Sequence, residues 1–293
     1  MCDEHNPHFI RVTSRTFDAV KNGKNTMTDV PRCDFHIHTK YLGCANKTME
    51  VPAIVRECER LGVTSLGITD HLNSLDKLEL HVPIKKDIEA LDTEIAVYFG
   101  AELNFMSADG GFAFSAEIKE QYGFQFAIGG IHSTYLDTYD LKKIVDIQHR
   151  HHLKTCRDPL VDVLVHPYWF GEHEFNKKGW PWFDSMQAVP ESYARELGRT
   201  AKETGTAVEI NADANLANPY CSDRYVEEYI AFLSIVAEEG PSFSLGSDAH
   251  DIGSVKGIRK AWQVAEQLHL TADRIWFPKC RPLKGASRMG GKN

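Results

Sequence analysis

Eight side chains of metal-ligating type stand at the ends of short apolar runs spread along the whole sequence. They are His36 and His38 in DFHIHT, His71 in GITDH, Glu102 in FGAELN, His132 in GGIHS, His166 in VLVHP, and Asp248 with His250 in LGSDAH. A set made of imidazoles and carboxylates suits zinc, manganese or iron, and hardly suits calcium or magnesium alone. His36 and His38 are two residues apart, so on a strand both rings face the same side and can grip one ion. Asp248 and His250 repeat that spacing. Glu102 follows Gly100 and Ala101, small residues that leave room for close approach, and a carboxylate there can bridge the two ions of a hydrolytic site. Any one of these histidines, taken alone, reads best as a satisfied polar group. The ordered set argues for a metal centre.

The runs that precede these residues are what must position them. CDFHIH, SLGITDH, VYFGAE, QFAIGGIH, VDVLVH and FSLGSDAH each read as a buried parallel strand, and ligands at the same end of six strands converge if the sheet closes into a barrel. The pattern predicts strands at 33–38, 65–70, 97–103, 125–131, 161–166, 207–211 and 243–248, with RIWFP at 274–278 as a closing strand and GGFAFSAEI at 110–118 as an inserted one. Between them lie amphipathic helix patterns. VPAIVRECERLG has Pro52 near its start and Gly62 after its end, and LKKIVDIQHRHHLK, PESYARELGRTAKETG, SDRYVEEYIAFLSIVAEEG and GIRKAWQVAEQLHL follow. Strand and helix in alternation predict a parallel sheet with right-handed crossovers.

Bulk properties fit that reading. A chain of 293 residues suits one α/β barrel, here over 32–279, with an N-terminal extension at 1–31 and a flexible tail at 280–293. The net charge of −8 gives no general attraction to nucleic acid or to an anionic membrane, so neither partner is expected. No apolar stretch approaches the roughly 18 residues of a membrane span, and MCDEHNPHF is polar and acidic, unlike a signal peptide. Seven cysteines without CxxC spacing suit reduced thiols in a cytoplasm, with Cys33 and Cys58 in the core. The stretch 170–190, rich in aromatics, Gly and Pro, reads as a lid or substrate wall, with Trp180 and Trp182 as its packing and His173 as a residue that can reach the site. His149, His151 and His152 read as a solvated helix face, and His5, His8, His81 and His269 as surface residues.

Taken in order over roughly residues 33–270, HIHT, ITDH, GAE, IH, HP, VEIN and GSDAH resemble the PHP (polymerase and histidinol phosphatase) superfamily of metal-dependent phosphoesterases. The resemblance implies a distorted (β/α)7 TIM-like barrel with two or three divalent ions (Zn, Mn or Fe) at its mouth. By that likeness His36, His38, Glu102 and Asp248 hold the first ion, and Glu102, His132 and His166 the second, with Glu102 as the bridge. His71 and His250 hold a third. Asp34, Glu209 and Asn211 match positions that support the ligands. One departure is specific. Trinuclear members have a histidine six residues after the HxH pair, where this chain has Cys44, a thiol that can also ligate. The Ser/Asp-Gly loop after HxHT is likewise replaced, by TKYLGCANKTM.

The implied activity is hydrolysis of a small phosphorylated substrate, most simply a phosphomonoester of the histidinol-phosphate kind, by metal-activated hydroxide. Glu102, Asp248 and His250 are the catalytic candidates, with Asp248 or His250 protonating the leaving group. Lys40, Arg224, Lys256 and Arg259 are the phosphate clamps nearest the ligand loops in sequence. The rival readings are an amidohydrolase-type barrel cleaving C–N bonds, a PHP phosphodiesterase or nuclease, and a non-catalytic metal-binding domain. Amidohydrolases usually bridge their ions with a carboxylated lysine and end on a lone Asp. The glutamate on the third strand and the final DxH favour phosphoester hydrolysis.

Overall fold

Seven parallel strands run in the order β1 (Cys33–Ile37), β2 (Ser65–Ile68), β4 (Ala96–Asn104), β5 (Phe126–Gly130), β6 (Val163–Leu164), β7 (Ala207–Asn211) and β8 (Phe243–Gly246), with a short β3 (His71–Leu72) beside β4. This computed structural model describes residues 30–285. The sheet curls until its edges meet. Asp248 N donates to His36 O (2.8 Å) and His38 N to Ala249 O (3.2 Å), so β1 and the segment after β8 join. Helices α1 (Val51–Leu61), α2 (His81–Glu89), α3 (Ala116–Tyr122), α4 (Leu141–Arg157), α5 (Glu172–Lys178), α6 (Glu191–Thr204), α7 (Asp223–Glu239) and α8 (Ile258–Gln267) connect the strands. The architecture is the expected (β/α)7 TIM-like barrel.

Local chemistry explains the elements. Strands β1, β2, β5, β7 and β8 are buried on both faces, which is why their sequences are continuous apolar runs rather than alternations. Pro52 opens α1, and Gly62 ends it in the left-handed region. Asp140 and Ser222 cap α4 and α7 by accepting from Lys143 N and Tyr225 N. Phe126 on β5 lies across β4 and β2, and a Cβ on Gly100 or Gly67 would meet its ring at 2.7 or 2.6 Å. The room at Gly100 is therefore taken by Phe126, not by the carboxylate of Glu102.

Several expectations are corrected. Residues 110–118 form no strand: Phe112 makes one bridge to Phe105, and Ser115 caps α3 instead. The closing run 274–278 contributes only a bridge from Ile275 to Phe243. Residues 281–284 of the expected tail are tied to the barrel, with Leu283 N donating to Val97 O at 2.9 Å and Gln125 to Arg281 O. The extension up to residue 29, with Cys2, His5 and His8, and the tail beyond 285 lie outside the described residues. The six described cysteines are free, Cys33 and Cys58 being fully buried, and no described helix is long and apolar enough to cross a membrane.

The largest correction concerns histidines away from the site. His149, His151 and His152, expected on a solvated face, are only 5%, 3% and 1% exposed, and His81 is fully buried. His149 stacks on Tyr193 at 3.8 Å and lies within hydrogen-bond reach of Tyr168 Oη and Glu196, while His152 accepts from Tyr168 N. The α4 face that carries them packs inward, and an imidazole there serves as a flat aromatic body with a polar tip.

Burial depresses the pKa of His81 and pushes that of His152 well below its ordinary 6.5. A depressed folded-state pKa stabilises the native state fully above the unfolded value and loses that contribution as pH falls below it. His81 and His152 thus contribute less stability at pH 5 than at pH 7. In His152→Gln the pH slope measured by denaturant titration is expected to be shallower by up to about 1.4 kcal/mol per pH unit. An unchanged slope contradicts this.

Candidate metal centre

Glu102, at the C-terminal end of β4 and with no exposed surface, is the centre of the arrangement. Its Oε1 lies 2.9 Å from His132 Nε2 and 3.1 Å from His166 Nε2. Its Oε2 lies 2.6 Å from His71 Nδ1 and 3.4 Å from both His36 Nε2 and His38 Nε2. One carboxylate thus divides five imidazoles into two sets. His36 Nε2 and His38 Nε2 are 3.0 Å apart, and Asp248 Oδ1 sits 3.1 Å from the latter and 3.4 Å from the former. All eight residues singled out by sequence come to this one mouth.

Backbone geometry places them. The register sets His71 directly beside Glu102 through β3, a strand too short for periodicity to reveal. His166 (φ 28°) and Asp248 (φ 56°) occupy the left-handed region, where a non-glycine residue costs about 1–3 kcal/mol and persists only if its surroundings enforce it. Two residues before Asp248, Gly246 must be glycine: an added Cβ would collide with Glu209 Oε1.

Glu209 holds three elements together. Its Oε1 accepts from His36 Nδ1 (2.8 Å), and its Oε2 accepts from His166 N (2.8 Å) and Asn211 Nδ2 (3.0 Å). The first bond fixes the His36 tautomer so that the Nε2 lone pair faces Glu102 and Asp248. Asn211 also donates to Asp248 Oδ2 (3.2 Å). Asp34 supports the site through the backbone: its Oδ1 accepts from Ser247 N (2.9 Å) and His36 N (3.3 Å). His250 Nδ1 faces Asp248 O at 2.9 Å.

Electrostatics follow from burial and crowding. Burial pushes the Asp34 carboxyl up to about 7. Burial opposes charge on His36, but Asp248, Glu209 and Glu102 outweigh it and hold its pKa well above the ordinary value. Burial and the neighbouring His71 push His38 down to about 3, and burial pushes His132 to about 4. Glu102 and Asp248 stay ionised against burial because histidines surround them: His71, His132 and His36 for the first, His36 and His38 for the second.

The donor set fits metal ions. Glu102 Oε2 and His71 Nδ1 are buried and close, yet neither has a hydrogen-bond partner. Imidazole lone pairs converge on each other and on carboxylates, an arrangement that cations between them would stabilise. Three groups of ligand atoms lie within 4.8 Å of one another: His36, His38 and Asp248; His71, Glu102 and His132; and His38, Cys44, His71 and His250. His71 belongs to two of these, so it faces Glu102 as well as Cys44.

Other candidates scatter. Lys40 pairs with Glu50 (2.7 Å), Arg224 with Glu228 (2.8 Å), Arg259 is exposed, and His173 is exposed on α5. Sequence reasoning passed over Asp70, whose carboxylate accepts from Thr39 N and Thr39 Oγ1 (3.0 Å each) and ties the end of β1 to β3. Its position directly before His71 was the available signal. Trp169 was also missed. It packs edge-on to His166 (5.3 Å) and His132 (5.9 Å).

The PHP domain family matches residues 34–213 of this chain. Among solved structures, a Listeria monocytogenes protein named "putative histidinol phosphatase hisK" aligns at 13% identity, over 76% of this chain and 96% of that one, with a TM-score of 0.52. A Schiff-base-forming fructose-1,6-bisphosphate aldolase aligns at 12% identity over 87% and 88% of the two chains, but its TM-score of 0.35 is too low to carry an argument. The first likeness shows the shared fold. No curated protein matches significantly.

Removing the carboxylate between the two sets is expected to empty them. Glu102→Gln purified without chelator should carry less than half the wild-type metal by elemental analysis. Glu209→Gln, which frees His36 to rotate, should weaken metal affinity by roughly 10–100-fold. Full metal content in both variants would contradict the arrangement described.

Proposed function

The chain belongs to the PHP domain family, and from that premise we propose that it is a metal-dependent phosphoesterase acting on a small phosphomonoester. The observation that carries this reading is Glu102, whose two oxygens face two separate sets of histidines. His36, His38, Glu102 and Asp248 would hold one ion, and Glu102, His132 and His166 a second. His38, His71 and His250 with Cys44 would hold a third. When bound, the ions would supply an activated water nucleophile and positive charge against the phosphate oxygens.

The chain's own residues do the rest. Glu209 and the backbone contacts of Asp34 keep the ligands pre-oriented, so little reorganisation accompanies reaction. Trp169 shields His132 and His166 on one side. His250 has its Nδ1 at Asp248 O and its side chain one-third exposed, so its Nε2 can pass a proton to the leaving oxygen when it is not ligating. The carboxylate between the sets is a glutamate rather than a modified lysine, which favours phosphoesters over the amides of the amidohydrolase alternative. A cytoplasmic setting accords with the free thiols.

A panel of phosphomonoesters, cyclic and linear phosphodiesters and amides, assayed with Mn or Zn supplied, is expected to show phosphate release fastest from monoesters. No release from any ester would sink the proposal; faster diester cleavage would move the chain to the phosphodiesterase reading. The third site has its own readout. Cobalt-loaded wild type should show thiolate-to-metal charge-transfer absorption that disappears in Cys44→Ser, with bound metal falling by about one ion per chain. A cobalt spectrum indifferent to that substitution would remove Cys44 from the ligand set.

A further inference from the structure

Next in sequence to Asp248, Ser247 lines a cleft of about 340 Å³ together with Asp213, Ser254, Lys256, Gly257 and Lys260. The volume lies within the range of small-molecule sites. Its connection to the centre is covalent and electrostatic. Ser247 directly precedes Asp248, and Asp213 N donates to Ser247 O (3.1 Å). Asp213 sits on a π-helical turn, Ala212–Leu216, whose first carbonyl neighbour, Asn211, donates to Asp248 Oδ2. Single π turns are rare and concentrate at functional sites.

The cleft carries two lysines, Lys256 and Lys260. Lys256 has no ion-pair or hydrogen-bond partner among the described residues, whereas Lys40 and Arg224 are matched to glutamates. Lys260 is anchored through Leu216 O (3.1 Å), which uses one of its three donors. Gly257 lines the cleft and leads into the ten-residue α8. Among the residues that line the cleft, one carboxylate, Asp213, stands against these two ammonium groups.

From this arrangement we infer that the cleft receives a second anionic group, carried on the alcohol portion of the substrate whose phosphoester lies at the metal centre. The substrate class is then a phosphomonoester that bears a carboxylate or a further phosphate. Lys256 and Lys260 are its specificity residues, and the inference rests on the phosphoesterase reading only for where the reacting ester sits.

The test uses metal-loaded full-length protein and three unhydrolysable ligands that differ at one end: propylphosphonate, 3-phosphonopropionate and 1,3-propanediphosphonate. By calorimetry, at least one of the two dianionic-ended ligands should bind roughly tenfold more tightly than propylphosphonate, and the one favoured identifies carboxylate or phosphate as the natural group. Lys256→Ala/Lys260→Ala, with its melting temperature checked, should lose that preference. If the double variant does not fold, Lys256→Gln carries the test, with a preference at least halved. Equal binding of all three ligands by wild type, or a preference that survives the substitutions, overturns the inference. Because phosphonates are not turned over, a protein without phosphatase activity would refute the proposed function and leave this readout intact.

Discussion

A fully buried carboxylate cannot stand alone, and Glu102 is fully buried at the centre of the barrel mouth. Taking one charged group out of water costs several kcal/mol, which only charge partners and hydrogen bonds can offset. Five imidazole nitrogens within 3.4 Å do so here, drawn from four separate segments of the chain. That requirement constrains the register of β3 on β4, the entry of His166 after β6, and the closure of the sheet between β1 and β8. The imidazoles in turn crowd one another, so the cluster is an anion-and-lone-pair cage suited to cations.

The surrounding structure shows how such a cage is kept from relaxing. Glu209 binds His36, the backbone of His166 and Asn211 at once, so three strands share one carboxylate. Gly246 is bare because the Glu209 oxygen occupies the place a Cβ would take. Two residues of the site, His166 and Asp248, hold left-handed backbone angles that the chain would abandon without these contacts. The strain and the support lie on the same few residues, as expected where geometry serves chemistry more than stability.

The same principles separate what could be foreseen from what could not. Strands buried on both faces announce themselves as apolar runs, and a polar residue closing each run is conspicuous against them. That is why His36, His38, Glu102, His132, His166, Asp248 and the other ligand candidates were legible. His149, His151 and His152 were misread because a polar-looking helix face gives no hint that α6 and Tyr168 will cover it. Asp70 carried a signal in standing directly before His71, whereas nothing in the local pattern of Trp169 says that it borders the cluster. The strand beside His71 is two residues long, below what any periodicity can register.

By itself the sequence determined the alternation of strand and helix, the closed parallel sheet it leads to, and the residues that end its strands, because each rests on local periodicity and residue type. Tertiary structure alone decided how those residues share contacts. It divided the oxygens of Glu102 between two sets, gave His36 to Glu209 and the backbone to Asp34, brought Cys44 within reach of three imidazoles, and opened a lysine-bearing cleft that Ser247 lines. The physical reason is that distances of about 3 Å between residues tens to hundreds of positions apart depend on strand register and barrel closure, which no short-range pattern encodes.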